Sequence, residues 1–342
     1  MSSSIQEPAT QAESSKPTLD FPSSSRKTRG LWRDTFRYLL KDPLVVICVI
    51  FIGILVIVSI FPDAIAPLSY DQTSFQDKLA SPGEIATAEK LEGHKYWLGA
   101  DRLGRDILSR LIYGTRISIA VAFVGAGVSF LIGVGYGLFS GYSSERVDNL
   151  MMRVVDVIYG YPTLILIILL QVYFTAIARQ DVSDTTGVQR LIIGLDNKSG
   201  GLFFVFIAIG AVSWLNLARL TRGQVLHYRN QEFVQAARAI GVPRRRIMGR
   251  HLMPNVLGPA IVAGTLAIPT YIYTEAFLSF IGLGVQPPTP SWGGMISNGY
   301  GALRSAPHLI IGPALALFLT MLAFNFLGDA VRDAMDPHIR HR

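Results

Sequence analysis

Long apolar runs separated by shorter polar segments dominate the chain. There are six such runs, and each approaches or exceeds the roughly 20 residues that a helix needs to cross a bilayer. They occupy residues 44–61, 117–142, 154–176, 202–218, 256–281 and 309–327. The pattern predicts an all-α integral membrane protein with six transmembrane helices.

Basic residues divide unevenly between the two sides of the predicted membrane. With the amino terminus in the cytoplasm, 20 of the 31 Lys and Arg residues fall on the cytoplasmic side and 11 on the other. Cytoplasmic loops ordinarily carry the excess of basic residues. An even number of spans also returns the chain to its starting side. We therefore predict that both termini are cytoplasmic and that residues 62–116 form an extracytoplasmic loop.

Composition supports the membrane class. The chain is 50% hydrophobic and 16% charged, whereas soluble domains carry about a quarter charged residues. The net charge of +7 is not accompanied by interleaved aromatic and basic residues, so we expect no nucleic-acid partner. Residues 1–30, rich in Ser, Pro, Thr and Gln, predict a disordered cytoplasmic tail, and residues 31–342 a single transmembrane domain.

A polar insert, residues 232–254, lies between the fourth and fifth apolar runs. Ala-rich residues 232–240 favour a short amphipathic helix, which Gly241 can terminate in a left-handed conformation. Pro243 can open a second short helix, and Pro254 is expected to end it. Such a rigid element suits docking to a soluble partner. The alternative is an interfacial loop whose three arginines, Arg244 to Arg246, only fix the topology.

One face of the first insert helix is apolar, because Phe233, Ala236, Ala237 and Ile240 recur at helical spacing. Small residues also recur in the second apolar run. Gly133, Gly137 and Gly141 are four residues apart, which predicts close packing against another helix.

Two carboxylates fall within the predicted spans, where charge is costly. Glu275 could line a pathway or gate, or could make a structural hydrogen bond between helices. Asp156 could face the pathway, with Tyr159 one turn further along, or could sit at the interface and pair with Arg153.

Two polar stretches flank the predicted spans. The sequence DRLGRDILSR, residues 101–110, predicts an amphipathic helix at the outer interface with Ile107, Leu108 and Leu111 facing lipid. A contact with an extracytoplasmic protein is the alternative use of this stretch. Trp292 is either an interfacial aromatic anchor or part of a short re-entrant turn.

Several motifs resemble the permease subunits of ABC importers. QAARAIG, nine residues and HLMP resemble the family pattern Glu-Ala-Ala, three residues, Gly, nine residues, Ile-x-Leu-Pro, with Gln235 in place of the Glu. LGADRLGRDILSRLIYGTRIS, EAFLSFIGLGVQPP and FNFLGDAVRDAMDP are similar to the C-type subunit of dipeptide and oligopeptide importers. The resemblance covers about residues 30 to 342.

The resemblance implies a type I importer permease fold with two short cytoplasmic coupling helices between spans 4 and 5. It assigns contact with an ATPase to the insert, through Glu232, Gln235, Ala236, Ala237, Gly241, Arg244, Arg245, His251 and Pro254. The implied partners are a homologous second permease subunit, two ATPase subunits, an extracytoplasmic peptide-binding protein and membrane lipid. The implied location is the bacterial inner or plasma membrane.

No enzymatic activity is expected of the chain. It contains no Gly-Lys pair and hence no P-loop, so ATP and Mg²⁺ would bind to the partner ATPases and no cofactor to this chain. Two other functions remain open. One is a permease for nickel, glutathione or another small solute. The other is an ion-driven secondary transporter. An ion site within the membrane would be expected to need more carboxylates than Asp156 and Glu275.

Overall fold

The computed structural model describes residues 39–178, 187–198 and 201–335. The predicted tail, residues 1–30, and the carboxyl terminus lie outside the described residues.

Helices make up most of the described chain. In chain order they are α1 (Pro43–Ile60), α2 (Pro62–Ile65), α3 (Ile107–Tyr142), α4 (Glu145–Tyr159), α5 (Thr163–Ala178), α6 (Gly187–Lys198), α7 (Leu202–Tyr228), α8 (Glu232–Ala239), α9 (Arg244–Arg246), α10 (Met253–Phe280), α11 (Trp292–Tyr300) and α12 (His308–Met335). The only described sheet pairs β1 (Glu84–Ile85) with β2 (Lys95–Tyr96) in antiparallel register. Single 3₁₀ turns lie at Phe75–Asp77 and Glu89–Leu91.

Five described helices are long and apolar enough to cross a membrane, and a bent pair makes a sixth candidate span. The pair is α4 followed by the first 15 residues of α5, with an angle of 81° between them. The predicted third span, residues 154–176, is therefore wrong as one straight helix. Gly160 and Pro162 occupy the break, where the proline lacks a donor and disfavours helix at the residue before it.

Three predicted boundaries move outward from the apolar runs. The second span begins at Ile107, where Asp106 caps the helix by accepting from the Ser109 amide at 2.7 Å. Residues 107–110 are thus the first turn of α3, and Ile107 is buried against Met295 and Leu309. The predicted lipid-facing amphipathic helix is wrong. The fourth span runs on to Tyr228 and the sixth to Met335.

The glycine stripe of α3 lies against α7, as predicted. A Cβ at Gly133 would lie 2.8 Å from the Leu217 Cβ, one at Gly137 would lie 2.4 Å from the Ala218 carbonyl oxygen, and one at Gly141 would lie 2.8 Å from the Val225 Cβ. Because no real side chain fits at these distances, the two backbones are in direct contact. α3 and α7 form the centre of the bundle, and α10 packs against both.

The two ends of α3 carry different structures. Residues 62–106 lie at its amino-terminal end, which we call the loop end, and the insert lies at its carboxyl-terminal end, the insert end. The loop has a small core that includes Leu91 and Tyr96. Asp77 is its polar centre, because its carboxylate accepts hydrogen bonds from Ser74, Thr87, Ala88 and Tyr96.

Trp292 is buried at the loop end. Only 1% of its surface is exposed, and its Nε1 donates to the Leu111 carbonyl at 3.1 Å. Its ring occupies the space left by Gly114, where a Cβ would lie 2.9 Å from Cδ1. These contacts exclude a lipid-facing anchor and fix α11 between α3, α10 and α12.

Candidate functional site

The insert has the helix and glycine turn that its sequence predicts. α8 ends at Ala239, and Gly241 has φ +77°, in the left-handed region that favours glycine. The Val242 amide donates to the Ala237 carbonyl at 3.0 Å, and the Gly241 amide to the Arg238 carbonyl at 3.0 Å. The turn is therefore closed by hydrogen bonds that hold α8 at a fixed angle to the next helix.

The second insert helix does not end at Pro254, and that prediction is wrong. α9 continues through a π-helical turn, Ile247–Leu252, directly into α10. The result is one helix of 37 residues, Arg244–Phe280. Pro254 follows the π-helical turn within this continuous helix. The fifth span and half of the insert are thus a single element.

One face of α8 is anchored in the bundle. Val234 is 0% exposed and Ala237 5%. They share a hydrophobic cluster with residues of α3, α7, the π turn and α10: Leu138, Val225, Ile247, Leu252 and Val256. Arg238 adds a contact to the end of α3, with its guanidinium 5.2 Å from the centre of the Tyr142 ring. A force on α8 would therefore act on three long helices at once.

A second side of α8, next to the buried one, is apolar and exposed. Ile240 is 81% exposed, Phe233 is 41% exposed, and Ala236 lies between them on the same side of the helix. We call these three residues the insert strip. Ala237, predicted to share this face, turns inward instead. The helical spacing of Phe233 and Ile240 indicates an apolar face but not which way that face points, so their exposure could not be predicted from the sequence.

Most of the nine residues predicted to contact an ATPase are on the surface. Seven of the nine are exposed: Glu232, Gln235, Ala236, Gly241, Arg244, Arg245 and Pro254. Gln235 donates to the Asn230 carbonyl at 2.9 Å, so its amide closes the turn before α8. His251 is half-buried in the π turn, and its carbonyl accepts from the Asn255 side chain at 2.6 Å.

A bidentate ion pair braces the insert end. Arg222 of α7 donates from Nε and an Nη nitrogen to the two carboxylate oxygens of Asp148 on α4, each at 2.6 Å. The Ser140 hydroxyl of α3 donates to the same carboxylate, and Arg229 donates to the Gly141 carbonyl at 3.0 Å. These bonds join α3, α4 and α7 beside α8. The members of the pair are 74 residues apart, so no local pattern predicts it.

A cavity of about 350 Å³ opens near the middle of the bundle between α3, α5, α7 and α10. Among the residues that the structure describes, no charged side chain lines it. Its polar groups are hydroxyls and one amide, among them Ser129, Thr163, Ser213, Asn216, Tyr271 and Thr274. Such a wall offers neutral hydrogen-bonding groups between apolar patches, which suits an uncharged polar backbone better than a fixed charge.

Tyr159 contacts a residue of the cavity wall, and Asp156 lies about one turn before it on α4. The Tyr159 hydroxyl donates to the side-chain oxygen of Asn216, a residue of the cavity wall. Asp156 pairs with Arg219 of α7 at 2.6 Å, so the predicted pairing with Arg153 is wrong. The Arg219 guanidinium also lies 4.0 Å from the centre of the Tyr159 ring. The structure thus brings two predicted pathway residues together with two residues that the sequence did not single out.

Glu275 does not face the cavity. It is 0% exposed, and one carboxyl oxygen accepts from the Ser279 hydroxyl at 2.7 Å. The other carboxyl oxygen has no hydrogen-bond partner among the described residues. The one hydrogen bond that the Glu275 side chain makes to these residues lies within α10, so the choice between a pathway role and a bond between helices stays open.

Two family descriptions match the chain. Residues 133–341 match the binding-protein-dependent transport system inner membrane component. Residues 30–82 match the N-terminal transmembrane domain of oligopeptide transport permease C. The first match contains the insert, α10 and every residue of the cavity wall except Ser129, and the second contains α1 and the beginning of the loop.

Curated relatives match over nearly the whole chain. The oligopeptide transport system permease protein OppC of Haemophilus influenzae is 38% identical over 312 residues, covering 91% of this chain and 90% of that protein. The OppC of Bacillus subtilis is 36% identical over 316 residues, covering 92% of each. The glutathione transport system permease protein GsiD of Pectobacterium atrosepticum is 33% identical over 315 residues, covering 92% of this chain and 94% of that protein.

Among solved structures, an inward-facing MetNI methionine ABC transporter matches with 18% identity and a TM-score of 0.49, covering 67% of this chain and 97% of that one. The family matches and the long identities to curated permeases assign the helical bundle to the type I ABC importer permease fold. The chain belongs to the family of inner membrane components of binding-protein-dependent transport systems.

Proposed function

We propose that this chain is one of two permease subunits of an ATP-driven oligopeptide importer, with both termini and the insert in the cytoplasm. It forms half of the solute pathway and binds no cofactor. Two ATPase subunits bind ATP and Mg²⁺, and an extracytoplasmic binding protein delivers the peptide at the loop end. The names of the relatives, which include oligopeptide and dipeptide permeases, support the choice of solute.

The insert strip is the observation that carries the proposal. Phe233, Ala236 and Ile240 expose an apolar surface on a helix whose other face is fixed in the bundle core. Three exposed arginines lie beside the strip: Arg244, Arg245 and Arg246. Lipid headgroups or an acidic protein surface could pair with their charges. An apolar centre within a polar rim is the usual anatomy of a protein interface. In the proposed mechanism an ATPase cleft binds the strip, and closure of the ATPase dimer tilts α3, α7 and α10 between two states.

The uncharged cavity supports a peptide as the solute. Peptides differ in side-chain charge but share backbone amides, and hydroxyl or amide side chains can bond to any backbone. Of the two wall residues Ser129 and Ser213, the Ser129 hydroxyl donates to the Ser213 carbonyl at 2.8 Å, so it can exchange this bond for one to a passing solute. Substrate selection would then belong mainly to the binding protein.

The proposal predicts that a charge in the insert strip abolishes ATPase binding. Ile240→Glu should reduce copurification of the ATPase subunits and peptide uptake by at least tenfold, because it places a charge in the apolar centre of the contact. Ala239→Glu is the matched control, since it adds the same charge to an exposed position about a quarter turn away. Equal ATPase recovery with Ile240→Glu and the original protein would refute coupling through the strip.

The relatives also include glutathione permeases, so glutathione is the second solute to test. Uptake by the intact complex of a neutral tetrapeptide, glutathione and nickel separates the alternatives. Uptake of the peptide that depends on ATP and on the binding protein is expected. Transport driven by an ion gradient with the isolated chain in vesicles would instead support a secondary transporter.

A further inference from the structure

A second cavity, of about 360 Å³, lies at the loop end. Its wall combines residues 101–110 with α11 and the first turn of α12, and none of its residues belongs to the central cavity. Ile107, Met295 and Leu309 give it an apolar floor, and they belong to one buried cluster. Three guanidinium groups and one carboxylate complete the wall: Arg102, Arg105, Arg110 and Asp101. We call it the outer arginine cavity.

The carboxylate in this cavity is already occupied. Asp101 accepts from Nε of Arg105 at 2.7 Å and contacts an Nη nitrogen of the same residue at 2.7 Å. Arg110, which is 4% exposed, lies 3.7 Å from the same oxygen and donates to the Tyr70 carbonyl at 2.9 Å. One negative charge is therefore shared between two positive ones, which leaves the wall with an excess of positive charge.

Arg102 supplies a third positive charge. It is exposed, and its guanidinium lies over Gly301, where a Cβ would be only 2.7 Å from an Nη nitrogen. Among the residues that the structure describes, Arg102 has no hydrogen bond or ion pair. A guanidinium held at the edge of a cavity with an apolar floor is well placed to bind a carboxylate in two-pronged geometry.

From this arrangement we propose that the outer arginine cavity receives an acidic side chain of the extracytoplasmic binding protein, with Arg102 as its contact. The inference rests on the proposed function, which places the loop end outside the membrane. The folded loop beside the cavity favours a protein partner over lipid, because it is built from polar turns and a small sheet. The lack of shared residues with the central cavity argues against a solute in transit.

Measurement of ATPase stimulation by the binding protein tests the inference. The complete transporter would be placed in phosphatidylcholine nanodiscs and titrated with the peptide-loaded binding protein of the same system. Arg102→Glu should raise the binding-protein concentration that gives half-maximal stimulation at least tenfold. The new carboxylate would face the acidic side chain of the binding protein and repel it. Arg102→Ala should raise that concentration by about threefold and weaken its salt dependence. The maximal rate and ATPase assembly should not change.

Lys90→Glu is the matched control, since it reverses an exposed positive charge in the same loop outside the cavity. It should leave the half-maximal concentration within twofold of the original value. An equal value for Arg102→Glu and the original protein, with normal stimulation in both, overturns this inference and leaves the proposed function intact.

Two other outcomes also overturn the inference. An effect seen only after anionic lipid is added would assign the cavity to a lipid headgroup. A change in peptide KM with unchanged affinity for the binding protein would assign it to the solute carboxylate. No stimulation of the original complex by the binding protein would refute the proposed function and the inference together.

Discussion

At the scale of single residues, the missing side chain of Gly137 decides how closely α3 and α7 pack. The Ala218 carbonyl oxygen occupies the place of its Cβ, at 2.4 Å. Gly135, half a turn away on the same helix, has nothing within 4 Å of a Cβ. A methyl group added at Gly137 would therefore clash with the backbone of α7, whereas one added at Gly135 would have open space around it.

Gly137→Ala is expected to lower the stability of the purified protein by about 1–3 kcal/mol, because an added methyl group must separate two backbones. Gly135→Ala should have no destabilising effect. Thermal unfolding in detergent measures both. Equal melting temperatures for the two variants would show that the α3–α7 contact is not as close as described.

The Asp77 carboxylate makes the stability of the loop depend on pH. Burial alone would raise its pKa, but hydrogen bonds from Ser74, Thr87 and Ala88 outweigh burial and lower the pKa from 3.8 to about 2. Because the folded pKa is below the unfolded one, the carboxylate stabilises the loop above about pH 4. That contribution is lost as the pH falls from about 4 to about 2.

Asp77→Asn should destabilise the loop by about 1–3 kcal/mol at pH 7, since charge-assisted bonds are lost. Hydrogen exchange of residues 74–96, compared with the original protein at each pH, measures the difference. The difference should shrink below pH 4, become small at pH 2, where the folded carboxyl is half protonated, and vanish only below pH 2. Glu92→Gln, at an exposed site in the same loop, should show none. A difference of the same size at pH 2 as at pH 7 would contradict the role of the charge.

At the scale of elements, two ion pairs join α4 to α7, and they differ in burial. The Asp148–Arg222 pair has side chains 8% and 29% exposed, whereas the Asp156–Arg219 pair is 53% and 44% exposed. An exposed pair contributes at most about 1 kcal/mol, and removal of one partner from a buried pair costs more. The first pair should therefore hold α4 in place, and the second is free to exchange partners.

Arg222→Gln is expected to lower stability by about 2 kcal/mol or more, because it leaves the Asp148 carboxylate without its charged partner. Arg219→Gln is the matched comparison and should cost no more than about 1 kcal/mol. Thermal unfolding of both variants in the same detergent checks the order. A larger loss of stability for Arg219→Gln than for Arg222→Gln would show that the Asp148–Arg222 pair is not the one that holds α4 in place.

Hydropathy located the elements better than it defined their ends. It placed α1 within one residue, since Asp42 lies just before the apolar run and Pro62 directly after it. It missed the α4–α5 break, because the residues on both sides of Gly160 and Pro162 are apolar. The proline was the signal that could have found it. The pairing of Asp148 with Arg222 depends on how α4 packs against α7, which local sequence does not encode.

At the scale of the whole molecule, the proposed orientation has a direct test. The sequence contains one cysteine, Cys48, which is buried, so Cys48→Ala gives a background without reactive thiols. Glu92→Cys and Arg245→Cys then place single thiols in the loop and the insert, both at exposed sites.

A membrane-impermeant maleimide added to intact cells or spheroplasts should label the thiol of Glu92→Cys and spare that of Arg245→Cys. Inverted vesicles should give the opposite result, because the basic insert is proposed to face the cytoplasm. Labelling of both thiols from one side would contradict the six-span topology. Labelling of the insert alone in intact cells would reverse the orientation.

The continuity of Arg244–Phe280 has a geometric consequence. A helix of that length extends at most roughly 28 Å to either side of its midpoint at about 1.5 Å per residue. A tilt of about 5° around the midpoint would then shift each tip by about 2 Å, in opposite directions. A force on Arg244 to Arg246 would thus move the Glu275 end in the opposite direction. The same tilt would narrow the bundle at one membrane surface and widen it at the other.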